Sequence, residues 1–515
     1  MSYRNKTFLL ILIATLIRCV IAIVTELGND EVYYCLYSRH LQWNYFDHPP
    51  IVGWLIRLTT CNLLFNSEFF IRAGAIISCA IVTWLVYKCG KKLANDYAGF
   101  LAALIYTATI YGSIIAGTFI LPDSPQMIFW TGGLYLLIGI VDSPVIDHKK
   151  IKNVLWFGVF SGLGMLCKIH TTFLWFGFIL YVMIYNRLWL KQWSLYVSVI
   201  ITIIFFIPVI KWNIDNHFIT FTYHGNRVNI IHGGIDLDNF FSFAAGQVLY
   251  CNPIIFVCLS IALWHNKFSI LPAQKKLLLL TSLPLIVIAT AISFFKTVLP
   301  HWTGPAYTSL VLLTACYFAE KKTTVTGEKR SVTITISSAI VLLLVIIVLG
   351  IAAINFFPGT IGNKNIDKKG DGDFTLDMYG WKNFSQSFDS IYQSTHQTLD
   401  KNIQTIILCN KWFPAAHIDH YVAAPLQLKV FTEGSIEDIH QYYWLNKQRG
   451  PLKDSLDIYV IIPSNYYSDI GSFGSIKNFH PDKIIIVPQY RNGIEARRFT
   501  VYYFKPRKYI FATDN

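Results

Sequence analysis

The stretch ITISSAIVLLLVIIVLGIAAI, residues 334–354, runs for 21 residues without one ionisable side chain. At about 1.5 Å of rise per residue, a helix of that length reaches about 30 Å, the thickness of a bilayer's hydrocarbon core. Similar runs lie at residues 8–24 and 195–210. The whole chain of 515 residues is 54% hydrophobic and only 14% charged, with a mean hydropathy of +0.44. That is too apolar for an ordinary soluble enzyme, and the sequence predicts a polytopic α-helical membrane protein.

Hydropathy suggests about eleven transmembrane helices, near 8–25, 69–87, 98–117, 125–141, 154–167, 171–186, 194–211, 243–264, 277–294, 302–319 and 332–354. Basic clusters test the count, because cytoplasmic loops carry the excess of Lys and Arg. They fall at Arg4 and Lys6, then Lys88, Lys91 and Lys92, then Lys149, Lys150 and Lys152, then Arg187 and Lys191, then Lys267, Lys275 and Lys276, and last Lys321, Lys322, Lys329 and Arg330. The loops between carry scattered single charges. An odd number of spans then places everything after Phe356 outside the cytoplasm. The first apolar run has no small-residue cleavage site before Glu26 and reads as a retained helix.

Residues 358–515 change character. Short β-rich runs at 405–408, 428–431, 458–462, 484–487 and 499–504 alternate in part with helical patterns near 380–395, 411–423 and 436–446. This predicts a C-terminal soluble α/β domain on the non-cytoplasmic side. The expected organisation is a transmembrane domain over 1–357, with a first outer loop at about 26–68, and the soluble domain over 358–515.

The formal charge of +13 does not mark a nucleic-acid binder, since Lys and Arg sit at helix ends rather than on one basic, aromatic-laced surface. Of the ten cysteines, Cys19, Cys79, Cys167, Cys258 and Cys316 lie inside apolar runs, where Cys is a small hydrophobe. Cys35 and Cys61 share the first outer loop and read equally well as a disulfide or as two thiols.

That loop is the densest polar region. It holds Gly28-Asn29-Asp30-Glu31-Val32-Tyr33-Tyr34 and then Tyr45-Phe46-Asp47-His48-Pro49-Pro50. Two carboxylates directly after a membrane helix are costly unless solvated, paired or functional. The aromatic residues and the rigid Pro49-Pro50 pair around them argue for a structured loop. Further outer segments carry Asp123 in Leu121-Pro122-Asp123-Ser124-Pro125, Lys168 in Cys167-Lys168-Ile169-His170, Arg227 and His232, and His301-Trp302. Taken singly, each is a snorkelling charge or a structural histidine. All fall on one side of a topology built from hydropathy and basic clusters, not from these residues. Such a set suits an anionic, lipid-borne group bound at the membrane surface, with cations on the phosphate and a carboxylate for a proton.

The series Asp30-Glu31-Val32-Tyr33-Tyr34, Tyr45 to Pro50, Pro122-Asp123, GLGMLCK at 162–168 and HWTGPAY at 301–307 resembles the bacterial type C glycosyltransferases, the group of the protein O-mannosyltransferases and the lipid A aminoarabinose transferase. The resemblance covers about residues 1–320. It implies a multi-helix fold, a catalytic first outer loop, a polyprenyl-phosphate-sugar donor and a working aspartate at the start of that loop, here Asp30. The chain departs from the pattern at Ile169-His170, where a Tyr is expected after the Lys.

The residues and the resemblance together point to an inverting membrane glycosyltransferase, a hexosyl- or pentosyltransferase of a bacterial inner membrane with a periplasmic site. Its partners would be the donor lipid, a cell-envelope acceptor (lipopolysaccharide or lipid A, another glycan, or protein) and the bilayer. Asp30 and Glu31 are the candidate catalytic residues. Asp47, His48, Asp123, Lys168, Arg227, His301 and Trp302 are the candidates for substrate binding. A divalent cation on Asp30, Glu31 and His48 is an option without a spaced ligand motif behind it. The rival reading is a transporter or flippase of a lipid-linked sugar.

Overall fold

The computed structural model describes residues 1–230, 234–265, 270–324, 326–396, 403–450, 452 and 455–507. His232 and Lys267 lie outside the described residues. The chain divides into two compact units: Met1–Ala22 with Tyr37–Ile347, and Ile23–Leu36 with Val348–Asn515.

The first unit is helical. Tyr3–Val24, Glu68–Leu93, Trp193–Asp215, Pro272–Ser293 and Ser331–Phe356 are each long and apolar enough to cross a bilayer. With helices of this kind and the fold described below, the chain is a multi-pass membrane protein. Against the eleven expected spans, five such helices are found among the described residues, or six if one sharply bent pair counts as a span. The remaining apolar runs are shorter or broken, for identifiable reasons. The run expected over 243–264 bends by 95° between Leu237–Tyr250 and Pro253–Trp264. At the bend Asn252 takes φ +68, and its Nδ2 donates to the carbonyls of Ala108 at 3.0 Å and Ala339 at 2.8 Å, while Pro253 starts the next helix. Proline fits a first helical position because its missing N–H needs no partner there. Hydropathy averages over such a break.

Small residues let the helices approach, as bilayer packing requires when lipid is as apolar as the side chains. His148–Met165 lies against Trp193–Asp215, where a Cβ on Gly158 would come within 2.4 Å of the Ser198 carbonyl. Ser198 Oγ and Thr202 Oγ1 then donate to the carbonyls of Val154 and Gly158 at 2.6 and 2.9 Å. Around these contacts Trp130, Leu134, Phe157, Phe178 and Leu312 form a continuous core.

The second unit carries a five-stranded mixed sheet in the order β2-β1-β3-β5-β4. Its strands are β1 (Gln404–Cys409), β2 (Lys429–Thr432), β3 (Leu456–Pro463), β4 (Lys483–Arg491) and β5 (Ile494–Arg507), one at each β-rich run of the sequence. The pairs β1–β2 and β1–β3 are parallel, and β3–β5 and β4–β5 are antiparallel. Asn492-Gly493, both at positive φ, closes the β4–β5 hairpin, the residue pair that a tight hairpin turn favours. Parallel neighbours need crossovers, supplied by Trp412–His417 with the following turn and by Tyr442–Arg449. Beneath the hairpin Arg491 Nη2 meets Asp373 Oδ2 at 2.9 Å with both side chains fully buried. The same guanidinium donates to the carbonyls of Ala353, Ile354 and Gly359, tying the end of the last long helix to the sheet.

Candidate active site

Asp123 opens helix Asp123–Ile140, where the free N–H groups and the helix dipole favour a carboxylate. Lys168 sits in extended backbone between His148–Met165 and the short turn Ile169–Thr171. Their side chains meet, Nζ to Oδ2 at 2.8 Å, with 3% and 2% exposure. The Tyr111 hydroxyl donates to the other carboxylate oxygen at 3.0 Å. Among the described residues the Lys168 ammonium has no second acceptor, so two of its three donors are free for a ligand.

Four imidazoles share this neighbourhood, His48, His170, His224 and His301. Burial pushes His301 down to about 4 and His170 to about 3, and the Lys168 charge acts in the same direction on both. Burial also holds His48 well below the usual range, with His224 and Lys168 next in effect. His224 is lowered by burial, partly opposed by its hydrogen bond to Asp47. All four are therefore neutral near pH 7, each offering one donor and one acceptor. His170 Nδ1 is buried with no partner among the described residues.

The loop around Pro49-Pro50 is rigid for reasons visible in the sequence. Tyr37 and Tyr45 stack at 3.6 Å, and the Tyr45 hydroxyl donates to the Tyr37 carbonyl at 2.9 Å. The Tyr37 hydroxyl donates to the Asp47 carboxylate, and His224 Nε2–H donates to the Asp47 carbonyl at 2.6 Å. Asp47 thus shapes the loop, and His48 is carried beside His224 with ring centres 5.9 Å apart. Opposite, the turn Pro300–Thr303 is clamped by Gln247, which donates to the Pro300 carbonyl at 3.1 Å and accepts from Thr303 at 2.6 Å. Gly304 lets this turn close on Tyr111, since a Cβ there would lie 2.1 Å from the tyrosine ring. Trp302 faces His170 at 5.6 Å and carries the Arg227 guanidinium 5.1 Å above its ring.

The first unit therefore gathers Asp47, His48, Asp123, Lys168, Arg227, His301 and Trp302. Tyr111, His170 and His224 belong with them; His170 was noted only as part of the Lys168 segment, and Tyr111 and His224 were not candidates. Tyr111 lies within the expected span 98–117, which gives no signal for it, while His224 has a weak signal in the polar run Tyr223-His224-Gly225-Asn226-Arg227.

Asp30 and Glu31 belong to the second unit. Both stand in the first turn of helix Asn29–Arg39, but their environments differ. Glu31 is 2% exposed and its Oε2 accepts from the Gly28 N–H at 2.9 Å, capping the helix start, whereas Asp30 is exposed. The flanking residues are fixed within the same unit. Glu26 accepts from the Trp381 N–H at 2.7 Å, Leu27 N–H donates to the Tyr421 hydroxyl at 2.9 Å, and Asn29 bridges Asp377 at 3.0 Å and His417 at 3.1 Å. Burial raises Asp377 to about 6. All ten cysteines are thiols, Cys35 buried and Cys61 exposed. Among the described residues no three His, Cys, Asp or Glu side chains come together as a metal site.

Residues 47–212 match the model of the dolichyl-phosphate-mannose-protein mannosyltransferase family. A lipid A galacturonosyltransferase of Rhizobium johnstonii is 22% identical over 290 residues, 56% of this chain and 60% of that protein. An undecaprenyl phosphate-alpha-4-amino-4-deoxy-L-arabinose arabinosyl transferase of Proteus mirabilis is 27% identical over 143 residues, 27% of this chain and 24% of that one. The matched stretches thus span less than two thirds of either relative. Among solved structures, ArnT from Cupriavidus metallidurans superposes over 97% of this chain and 98% of its own with a TM-score of 0.62 at 12% identity. The chain has the type C glycosyltransferase fold. The same ArnT solved with undecaprenyl phosphate bound gives a TM-score of 0.62 at 13% identity, over 96% of this chain and 98% of that one. Within this glycosyltransferase fold, the stretch matched by the family model takes in Asp47, His48, Asp123 and Lys168.

Proposed function

We propose that this protein is an inverting membrane glycosyltransferase that moves a hexosyl or pentosyl group from a polyprenyl-phosphate donor to a cell-envelope acceptor. The reading places it in a bacterial inner membrane with the working face and residues 358–515 in the periplasm, and takes 1–357 as the transmembrane catalytic domain. The observation that carries it is Lys168, buried, held by Asp123 and left with two free donors. A buried cation with spare donors stabilises a departing phosphate without reorganising.

Arg227 supplies a second cation, and the neutral His48, His170 and His301 supply N–H donors that add no charge. Displacement at the anomeric carbon by the acceptor breaks the sugar–phosphate bond and inverts the centre. With a hydroxyl acceptor, Asp30 takes its proton. With a phosphate acceptor no base is needed, and Asp30 orients the acceptor instead. The name of the Rhizobium johnstonii relative favours a lipid A acceptor over protein. Both curated relatives are named as transferases, which supports the transferase reading over a flippase.

The test is transfer of label from a polyprenyl-phosphate sugar by the purified protein in detergent, alongside mass spectrometry of envelope lipids from a deletion strain. The expected results are label on an envelope lipid or glycan and a missing sugar in the deletion strain. Label that stays on the donor, with an unchanged envelope in the deletion strain, would overturn the reading.

A further inference from the structure

The second unit holds a cavity that the reaction described above does not use. Its volume is about 260 Å³, and Lys368, Asp371, Lys411, Asn465, Tyr466 and Tyr467 line it. Asn465 is 3% exposed, and its Oδ1 faces Arg497 Nη1 at 3.5 Å. A guanidinium only donates, so this contact fixes the amide with its NH₂ turned away. That Nδ2 has no acceptor among the described residues. Buried donors are ordinarily satisfied, and one left over beside a cavity is suited to a ligand oxygen.

The walls and rim narrow the ligand class. The Tyr466 hydroxyl is taken by Asp377 at 2.9 Å and its ring is braced edge-on by Phe413 at 4.3 Å, so it stands as a fixed aromatic wall. Tyr467 is 52% exposed, an aromatic face on which a sugar ring stacks. Of the charged residues lining the cavity, Lys368 and Lys411 outnumber the single Asp371 carboxylate. Aromatic faces, a buried amide donor and surplus positive charge together fit a sugar that carries a phosphate.

We propose that this cavity binds the phosphosugar head of the acceptor. The inference rests on the transferase reading and extends it to the role of the second unit. Lys368 and Lys411 hold the phosphate, Asn465 Nδ2 donates to a sugar oxygen, and Tyr467 covers the ring.

The probe is glucose 6-phosphate, titrated calorimetrically into the full-length protein in detergent, with glucose and inorganic phosphate as separate arms. Glucose 6-phosphate is expected to bind roughly ten-fold tighter than either. Two variants are tested, the rim double Lys368→Gln/Lys411→Gln and Asn465→Asp, which keeps an oxygen on Arg497 and removes the donor. Each is expected to weaken glucose 6-phosphate roughly ten-fold. In the transfer assay both should raise KM for a phosphorylated acceptor by a similar factor and leave kcat and donor hydrolysis unchanged. Unchanged binding in the rim double, or equal binding of glucose and its phosphate, overturns the proposal. Inorganic phosphate binding as tightly as glucose 6-phosphate also overturns it, leaving an anion site only. A wild-type protein that binds the probe yet transfers no label sinks the transferase reading instead, so the two failures are distinct.

Discussion

Lys168 and Asp123 form an ion pair at 2.8 Å with less than a twentieth of either side chain exposed. Removing one partner of so deep a pair strands the other charge, which costs about 3–5 kcal/mol, whereas removing both costs far less. Lys168→Met and Asp123→Leu are each expected to unfold at clearly lower temperature in detergent, and the double variant to recover much of the loss. Neither single variant nor the double should bind donor. Additive destabilisation in this cycle would show that the pair is not coupled.

The buried imidazoles give the protein a one-sided pH response. His301 and His170 ordinarily titrate near 6.5, but burial and Lys168 hold them at about 4 and about 3 in the folded state. Between those values and 6.5 the unfolded chain binds protons that the folded one refuses, so stability falls as pH drops through this window. Each histidine contributes a slope of at most about 1.4 kcal/mol per pH unit. Unfolding midpoints measured from pH 7.5 to 4.5 should fall more steeply in the wild type than in His301→Gln. Parallel curves would remove His301 from the account.

The two neighbouring carboxylates of the first outer segment should separate by experiment. Asp30→Asn changes an exposed side chain and is expected to melt like the wild type while losing transfer by about a hundred-fold or more. Glu31→Gln alters the carboxylate that caps Gly28 and is expected to cost about 1 kcal/mol, with a smaller effect on turnover. The reverse pattern in paired melting and label-transfer measurements would exchange their roles.

Gly304 tests the packing that frames the pocket. A methyl there would lie 2.1 Å from the Tyr111 ring, and Tyr111 holds Asp123. Gly304→Ala is expected to destabilise by about 1–3 kcal/mol and to lower donor affinity, although it touches neither ligand nor charge. Unchanged thermal stability would mean that the turn carrying His301 yields freely.

Much of this was legible in the sequence, and the exceptions have physical causes. Apolar runs long enough for a bilayer marked the helices, and β-rich runs marked all five strands, because both signals are local. The bend at Asn252-Pro253 within the span expected over 243–264 was not legible, since it depends on carbonyls of Ala108 and Ala339 that are remote in sequence. Asp123, Lys168 and His301 stood out in the sequence because the expected topology sorts them onto one side, and the first unit brings them together. Tyr111 and His224 were missed because only tertiary contact distinguishes them from core or loop residues. Asp30 and Glu31 were both catalytic candidates, and their different settings, Glu31 buried and bonded to Gly28 and Asp30 exposed, are not readable from adjacent positions in the sequence.

The fastening of residues 26–33 also bears on how the protein is made. The partners of Glu26, Leu27, Asn29 and Tyr33 lie between 348 and 408 residues downstream. A ribosome has to deliver most of the chain before the segment that carries Asp30 can settle. Truncated forms that end before Asp377 should therefore keep the early helices and lack every one of these contacts to residues 26–33.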